Sequence, residues 1–301
     1  MTARAVAAAG VGGQSRVPPS GGGRSGVAPG TNGSLVQTRL GAAAARLEKA
    51  RCDTARLDAE LLLAHALGVA RERLVLDADA IVDGPASECF ESLVTRREGR
   101  EPVAYILGRR DFRRISLLVD QRVLIPRPET ELLVEVGLRL PVGSRVVDVG
   151  TGSGAVALAL ADERPDLDVW GTDISPDALA VAKANAARLG LDVTLACADL
   201  LEGVSERFDA LLANLPYVAE CAKLPPEVAL FEPRSALLAG RDGLEELRRL
   251  ATMLAGVPTV ALEVGFDQAD AVVALLAGAG FASIERLQDL AGHERVIVGR
   301  R

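Results

Sequence analysis

Apolar positions along this 301-residue chain change their period twice. From Leu35 to about Gly108 they recur at helical spacing: Leu35, Val36, Leu40 and Leu47, then Leu57, Leu61, Leu62 and Leu63 behind the capping candidates Asp53 and Thr54. Leu74 to Leu76, Ile81, Phe90, Leu93 and Val94 continue the pattern, with breaks at Gly68 and at Asp83-Gly84-Pro85. The spacing predicts a small helical bundle over residues 34–110. Between Asp111 and Ile125 the β-rich residues Phe112, Ile115, Leu117, Leu118, Val119, Val123 and Ile125 flank Asp120-Gln121, which predicts a hairpin linker over 111–125. Pro126-Arg127-Pro128 ends it, and Glu129 to Leu140 returns to a helical period with acids in the first turn.

From Arg145 onward the pattern alternates between short apolar runs and amphipathic stretches. Strands are predicted at Val146–Val149, Asp168–Gly171, Val193–Ala196, Phe208–Ala213 and Thr259–Val264. Helices are predicted near Ala155–Ala161, Pro176–Leu189, Gly243–Leu254 and Gln268–Ala279. Two last strands, Ala282–Leu287 and Arg295–Val298, are close enough to pair antiparallel at an edge. Such alternation calls for an α/β fold: a Rossmann-like, seven-stranded, mostly parallel sheet with helices on both faces, occupying residues 126–301.

Composition adds a boundary at the start. Residues 1–33 are mostly Gly, Ala, Ser and Pro without an apolar period, a composition that cannot offset its ordering entropy, so a disordered tail is expected there. No apolar run is long enough to span a bilayer and no secretory leader is visible, so a cytoplasmic location without a membrane partner is expected. The four cysteines, Cys52, Cys89, Cys197 and Cys221, lie far apart and form no C-x-x-C pair; they read as small buried hydrophobes, and no metal is expected. A net charge of −7 and pI ≈ 5.1 argue mildly against a nucleic acid partner.

The candidate chemistry lies at the ends of the predicted strands. Gly150-Thr151-Gly152-Ser153-Gly154 follows the first one, a turn where a nucleotide-like cofactor can approach the backbone closely. The same run fits G-x-G-x-x-A with an acid about 20 residues on, so a dinucleotide is equally allowed by the turn alone. Asp173 ends the second strand and can accept from both ribose hydroxyls, the alternative being a cap for the helix after it. Asp199 can reach the exocyclic amine of adenine with Leu200 on the ring face, or be a solvated loop acid. Asn214-Leu215-Pro216-Tyr217 closes the fourth strand. An Asn side-chain carbonyl and the next backbone carbonyl together accept both hydrogens of an sp2 NH2 group, while Tyr217 forms a wall. This arrangement points to methyl transfer onto a planar amide or amine. His65 and His293 are isolated, so no metal cluster or nucleophile triad is visible, and methyl transfer from a sulfonium needs mainly geometry and a dry pocket.

Several stretches resemble one family. Val123-Leu124-Ile125-Pro126-Arg127-Pro128-Glu129-Thr130-Glu131, the glycine turn, Asn214 to Tyr217, Phe231-Glu232-Pro233 with Gly240-Arg241-Asp242-Gly243-Leu244, Glu263-Val264-Gly265 and Asp289-Leu290-Ala291-Gly292 are similar to the HemK/PrmC proteins. These are glutamine-N5 methyltransferases of class-I peptide-chain release factors, acting on the Gly-Gly-Gln loop. The resemblance runs from Leu35 to Arg301. It implies S-adenosyl-L-methionine, released as S-adenosyl-L-homocysteine, held by Gly150 to Gly154, Asp173, Asp199, Leu200 and Asn214. It also implies a glutamine slot made by Asn214, Leu215, Pro216, Tyr217 and Phe112, and a helical domain that helps dock the release factor; apart from the resemblance, a monomer is expected. The family usually has proline where Leu215 stands, so a rigid φ is lost here while the accepting carbonyl is kept. Asn-Leu-Pro-Tyr is also how adenine-N6 dimethyltransferases of ribosomal RNA look at this motif. A ribosomal-protein glutamine or nucleic-acid amine acceptor, or a non-catalytic cofactor binder, stays an alternative.

Overall fold

The helical period of residues 34–110 is realised as a bundle. In the computed structural model, which describes residues 34–301, strand β1 (Ser34–Leu35) leads into α1 (Val36–Lys49), α2 (Ala55–Leu67), the single turn α3 (Arg73–Leu76), strand β2 (Ile81–Val82), α4 (Gly84–Glu98) and α5 (Val103–Leu107). The tail expected over residues 1–33 lies outside the described residues. Leu47, Leu62, Leu63, Phe90 and Val94 meet in the bundle core, because their spacing puts them on facing stripes. Gly68 closes α2 in the left-handed conformation and Pro85 sits in the first turn of α4. The antiparallel pair β1–β2 was not foreseen, since two residues per strand carry no period. Nor was the buried ion pair in which Arg97 Nε donates to Asp58 at 2.7 Å; charged residues ordinarily mark solvent.

The hairpin comes earlier than expected. Strands β3 (Arg109–Phe112) and β4 (Ile115–Leu118) pair with Phe112 opposite Ile115, so the turn is Arg113-Arg114 and not Asp120-Gln121. Arg113 takes φ 49°, an uncommon conformation for a side-chain-bearing residue, and its guanidinium is gripped by Glu135 and Glu163. Asp120 instead forms a local turn, accepting from the Arg122 backbone N–H at 3.0 Å. The cysteine expectation also needs correction, for only Cys52 is buried while Cys89, Cys197 and Cys221 are exposed.

Beyond a 3-10 turn (Pro128–Thr130) the chain forms α6 (Glu131–Gly137), β5 (Arg145–Val149), α7 (Ala155–Glu163), β6 (Asp168–Asp173), α8 (Pro176–Leu189) and β7 (Thr194–Cys197). It continues through β8 (Ala210–Ala213), α9 (Pro226–Phe231), a second 3-10 turn (Arg234–Ala236), α10 (Glu245–Ala251), β9 (Thr259–Glu263), α11 (Ala269–Gly278), β10 (Ser283–Gln288) and β11 (Glu294–Arg300). The seven strands stand in the order β10-β11-β9-β8-β5-β6-β7, parallel from β9 to β7, with β11 and β10 added antiparallel. Successive side chains of the central strands enter opposite cores. Val146, Leu212 and Ala261 pack with α6, α7 and α8, whereas Val147, Leu211 and Val260 pack with α10 and α11. Burial on both faces is why these strands read as continuous apolar runs.

The two halves are clamped by charge. Glu227 on α9 accepts from Arg100 at 2.6 and 2.8 Å and from Arg97 at 3.1 Å, so the stretch after Asn214–Tyr217 is tied to the helical bundle. Among the described residues no helix is long and apolar enough to cross a membrane.

Candidate active site

Strand β5 has β6 and then β7 on one side and β8 on the other, so the chain reverses its winding direction around β5. A crevice opens at the carboxyl ends of strands at such a switch point. Here it is a cavity of about 320 Å³. Gly150 to Ser153, Asp173, Asp199, Leu200 and Asn214 to Pro216 line it, each delivered by the end of a different strand.

The glycine turn holds few free donors. The N–H groups of Gly150 and Thr151 both donate to the Thr172 carbonyl at 2.9 Å, that of Gly152 to Asp173 Oδ2 at 2.9 Å, and that of Gly154 to the Thr151 carbonyl at 2.8 Å. Four of the turn's five amides are therefore spent inside the protein, and the nest a pyrophosphate would need is not built. Gly150 is required for closeness: a Cβ there would lie 3.0 Å from Leu215 Cδ2. Gly154 lies behind the wall, where a Cβ would strike Leu158, so its role is packing.

Charge on the wall is mainly negative. Asp173 accepts from Ser175 N–H at 2.9 Å on Oδ1 and from Gly152 N–H on Oδ2, leaving each oxygen a lone pair toward the cavity. Burial raises its pKa and the two N–H groups oppose the rise. The cap of α8 is Ser175, whose Oγ accepts from Ala178 N–H at 3.2 Å. Asp148, buried below the turn, accepts from Thr151 Oγ1 at 2.7 Å and from Ala157 N–H at 3.3 Å; burial pushes its pKa up to about 7. Asp199 faces the cavity too, but its Oδ2 receives Arg249 Nη2 at 2.7 Å. Arg249 also binds Glu246, and Arg122 binds Asp120, so both cavity arginines are already neutralised. Such a wall suits a cationic ligand carrying hydroxyls and disfavours a diphosphate. Leu200, at φ 55°, turns its carbonyl to Thr172 Oγ1 at 2.9 Å and its side chain into the core edge beside the cavity.

At the other end of the cavity Asn214 Nδ2 donates to Thr130 Oγ1 at 3.0 Å, which leaves Oδ1 as the free acceptor of that side chain. Leu215 is buried and Pro216 is on the wall. Tyr217 is half-buried and outside the cavity lining; its backbone carbonyl accepts from Gln268 Nε2 at 2.9 Å, and burial raises its phenol to about 12. Phe112 departs from its expected place. Pairing with Ile115 turns it inward, and it lies 2% exposed in the core with Tyr105 and Leu117, away from the cavity.

Thr130, Asp148 and Glu263 went unassigned from sequence. Thr130 and Glu263 stand inside quoted family segments, which is the only signal that marked them; Asp148 looks like an interruption of an apolar strand, and a charged residue in a buried strand is itself a usable signal.

A seven-stranded sheet of this order, with a glycine turn after β5, an acid ending β6 and Asn-x-Pro-Tyr after β8, defines a Rossmann-like methyltransferase. Residues 40–108 match the PrmC N-terminal domain and residues 128–230 the methyltransferase small domain. A release factor glutamine methyltransferase of Rhodospirillum rubrum is 41% identical over 266 residues, covering 85% of this chain and 82% of that protein. The protein of that name from Xylella fastidiosa Temecula1 is 44% identical over 274 residues, covering 87% and 96%. The chain belongs to the HemK/PrmC family of release factor glutamine methyltransferases. Among solved structures, the hMettl16 catalytic domain in complex with a MAT2A 3′UTR hairpin aligns with TM-score 0.52 at 17% identity, over 69% of this chain and 81% of that one, a likeness of fold.

Proposed function

We propose that this chain transfers the methyl group of S-adenosylmethionine to the side-chain amide nitrogen of the Gly-Gly-Gln glutamine in class-I peptide-chain release factors. The observation that carries the reading is the Asn214 side chain on the cavity wall, anchored through Nδ2 to Thr130 so that Oδ1 is left as its free acceptor, one residue before a buried leucine that keeps its backbone carbonyl. Asn214 Oδ1 and the Leu215 carbonyl accept the two amide hydrogens and aim the nitrogen at the cavity. Bound there, S-adenosylmethionine would supply an electrophilic methyl on its sulfonium and leave as the neutral thioether, while the amide nitrogen gives up one of its two protons to solvent as the N–CH3 bond forms. Asp173 takes the ribose hydroxyls with its remaining lone pairs, and its carboxylate favours the cofactor's positive charge. Leu200 packs on the base, and Asp199 holds Arg249 at its edge. Pro216 shapes the slot, and Tyr217 supports it from behind. The helical bundle, clamped by Glu227 to the segment after the motif, docks the release factor near the slot. The reaction needs no metal. We place the enzyme in the cytoplasm as a monomer.

The test is mass spectrometry of an unmodified release factor incubated with this protein and S-adenosylmethionine, with peptide mapping of the Gly-Gly-Gln loop. One added methyl on that glutamine is expected. Cofactor binding without methylation would shift the assignment to another acceptor.

A further inference from the structure

Gln268 stands at the start of α11, yet its side chain does not cap that helix. A short polar residue is favoured over glutamine at a capping position, so the helix gives no reason for this side chain. It is buried instead among three loops that follow or precede the site elements. Its Oε1 accepts from Gly265 N–H at 2.9 Å, just after β9. Its Nε2 donates to the Tyr217 carbonyl at 2.9 Å, after β8, and lies 3.3 Å from the carbonyls of Asp242 and Gly243, ahead of α10. The amide has one orientation only, because a backbone N–H donates and a carbonyl accepts. Two glycines make room for this junction. A Cβ on Gly243, which takes φ 75°, would collide with the Tyr217 carbonyl oxygen, and one on Gly265 would lie 2.9 Å from Gln268 Oε1. The far end of the same peptide unit is held as well, for Val218 N–H donates to the Leu237 carbonyl at 2.9 Å.

We propose that Gln268 is a positioning residue for methyl transfer: by tying the Tyr217 carbonyl to the Asp242-Gly243 loop, it sets the acceptor slot in register with the cofactor cavity. The inference rests on the functional reading above. Pro216 has its φ locked by the ring, and Leu215, standing before a proline, is confined to extended backbone, so few torsions separate the Tyr217 peptide from the Leu215 carbonyl that takes the substrate amide. Releasing that peptide lets the carbonyl drift. In-line transfer tolerates little drift, since a displacement of about 1 Å costs up to about a hundredfold in rate. The cofactor side is fastened independently. Asp173 is held by Gly152 and Ser175, and α10 is joined to the loop after β7 by Arg249 and Asp199 at 2.7 Å. Loss of the Gln268 amide therefore moves the slot against a cofactor wall that stays in place.

The experiment compares wild type with Gln268→Met, Gln268→Glu and Arg248→Ala, reading thermal unfolding, kcat and KM for an unmodified release factor, and Kd for S-adenosylhomocysteine. Gln268→Met keeps length and loses every side-chain bond. Gln268→Glu, assayed at alkaline pH where it is ionised, keeps the acceptor for Gly265 N–H but has no hydrogen for the three carbonyls. Both should lower kcat about tenfold while KM and Kd stay within about threefold of wild type. Arg248→Ala removes the exposed bonds to the Asp242 carboxylate and loosens the same loop without touching Tyr217, so its kcat should match wild type. Wild-type kcat in a folded Gln268 variant, a Kd that rises in step with the loss of kcat, an equal drop in Arg248→Ala, or failure of both Gln268 variants to fold would each overturn the positioning role. No methylation by the wild-type chain would instead sink the functional reading itself.

Discussion

Replacing Asp173 by alanine separates two roles that the structure assigns to one carboxylate. In the protein alone, Asp173 joins the glycine turn to the start of α8, accepting from Gly152 N–H and Ser175 N–H, both at 2.9 Å. Hydrogen bonds to a charged group contribute about 1.5–3 kcal/mol each, and at this half-buried site the lower end applies, so the variant should lose about 3 kcal/mol of stability. For a chain of this size that is a fall in Tm of roughly 5–10 °C. The two lone pairs facing the cavity add a separate loss: two ribose hydroxyls without their acceptor cost about 3 kcal/mol of binding, roughly a hundredfold in Kd. Asp173→Asn keeps one acceptor oxygen and should fall between. Thermal unfolding without ligand reads the first term. Isothermal titration with S-adenosylhomocysteine, well below the variant's Tm, reads the second. A lowered Tm with wild-type Kd would refute the ribose assignment and leave Asp173 as a staple of the turn.

Three further outcomes follow from particular contacts. Asn214→Ala should lower kcat for release-factor methylation by about ten- to a hundredfold while cofactor Kd stays within about threefold, since the lost acceptor meets the substrate amide; equal loss of both in stopped assays and titration would contradict that. Glu227→Ala leaves Arg100 without its carboxylate and Arg97 with Asp58 alone, and should cost about 3 kcal/mol in urea unfolding; an unchanged midpoint would show that the clamp is not stabilising. Asp148 retains its proton in the folded state up to about pH 7, whereas the unfolded chain releases it near the ordinary value of 3.8. Its contribution is therefore neutral below the unfolded value, grows unfavourable as pH rises, and reaches about 4 kcal/mol above about pH 7. Urea titrations from about pH 4 to about pH 8 should show Asp148→Asn flattening this decline, and an identical slope in both proteins would count against a buried, protonated Asp148.

Much of the architecture was legible because the local signals agreed with the global fold. Helix α8 matches its predicted span, Pro176–Leu189, since Ser175-Pro176 starts it and the left-handed Gly190 stops it. The central strands were visible as apolar runs because both faces of the sheet are covered. The hairpin was misplaced for the opposite reason: Arg113-Arg114 carries no turn chemistry of its own, and its conformation is held by Glu135 and Glu163, acids distant in sequence. Phe112 was placed on the substrate wall by resemblance, and strand register put it in the core.

The same division runs through the site. The sequence by itself determined the strand ends and the residue types at them: the glycine turn, Asp173, and the Asn-Leu-Pro-Tyr edge, because close backbone approach and paired acceptors are properties of short segments. Only the tertiary structure decided how those groups are used. It committed the turn's amides to Thr172 and Asp173, spent Asp199 on Arg249, and brought Thr130 to Asn214 across 84 residues. Orientation of a side-chain amide depends on partners gathered by packing, and a linear pattern of apolar and polar positions carries no record of which distant hydroxyl will meet it.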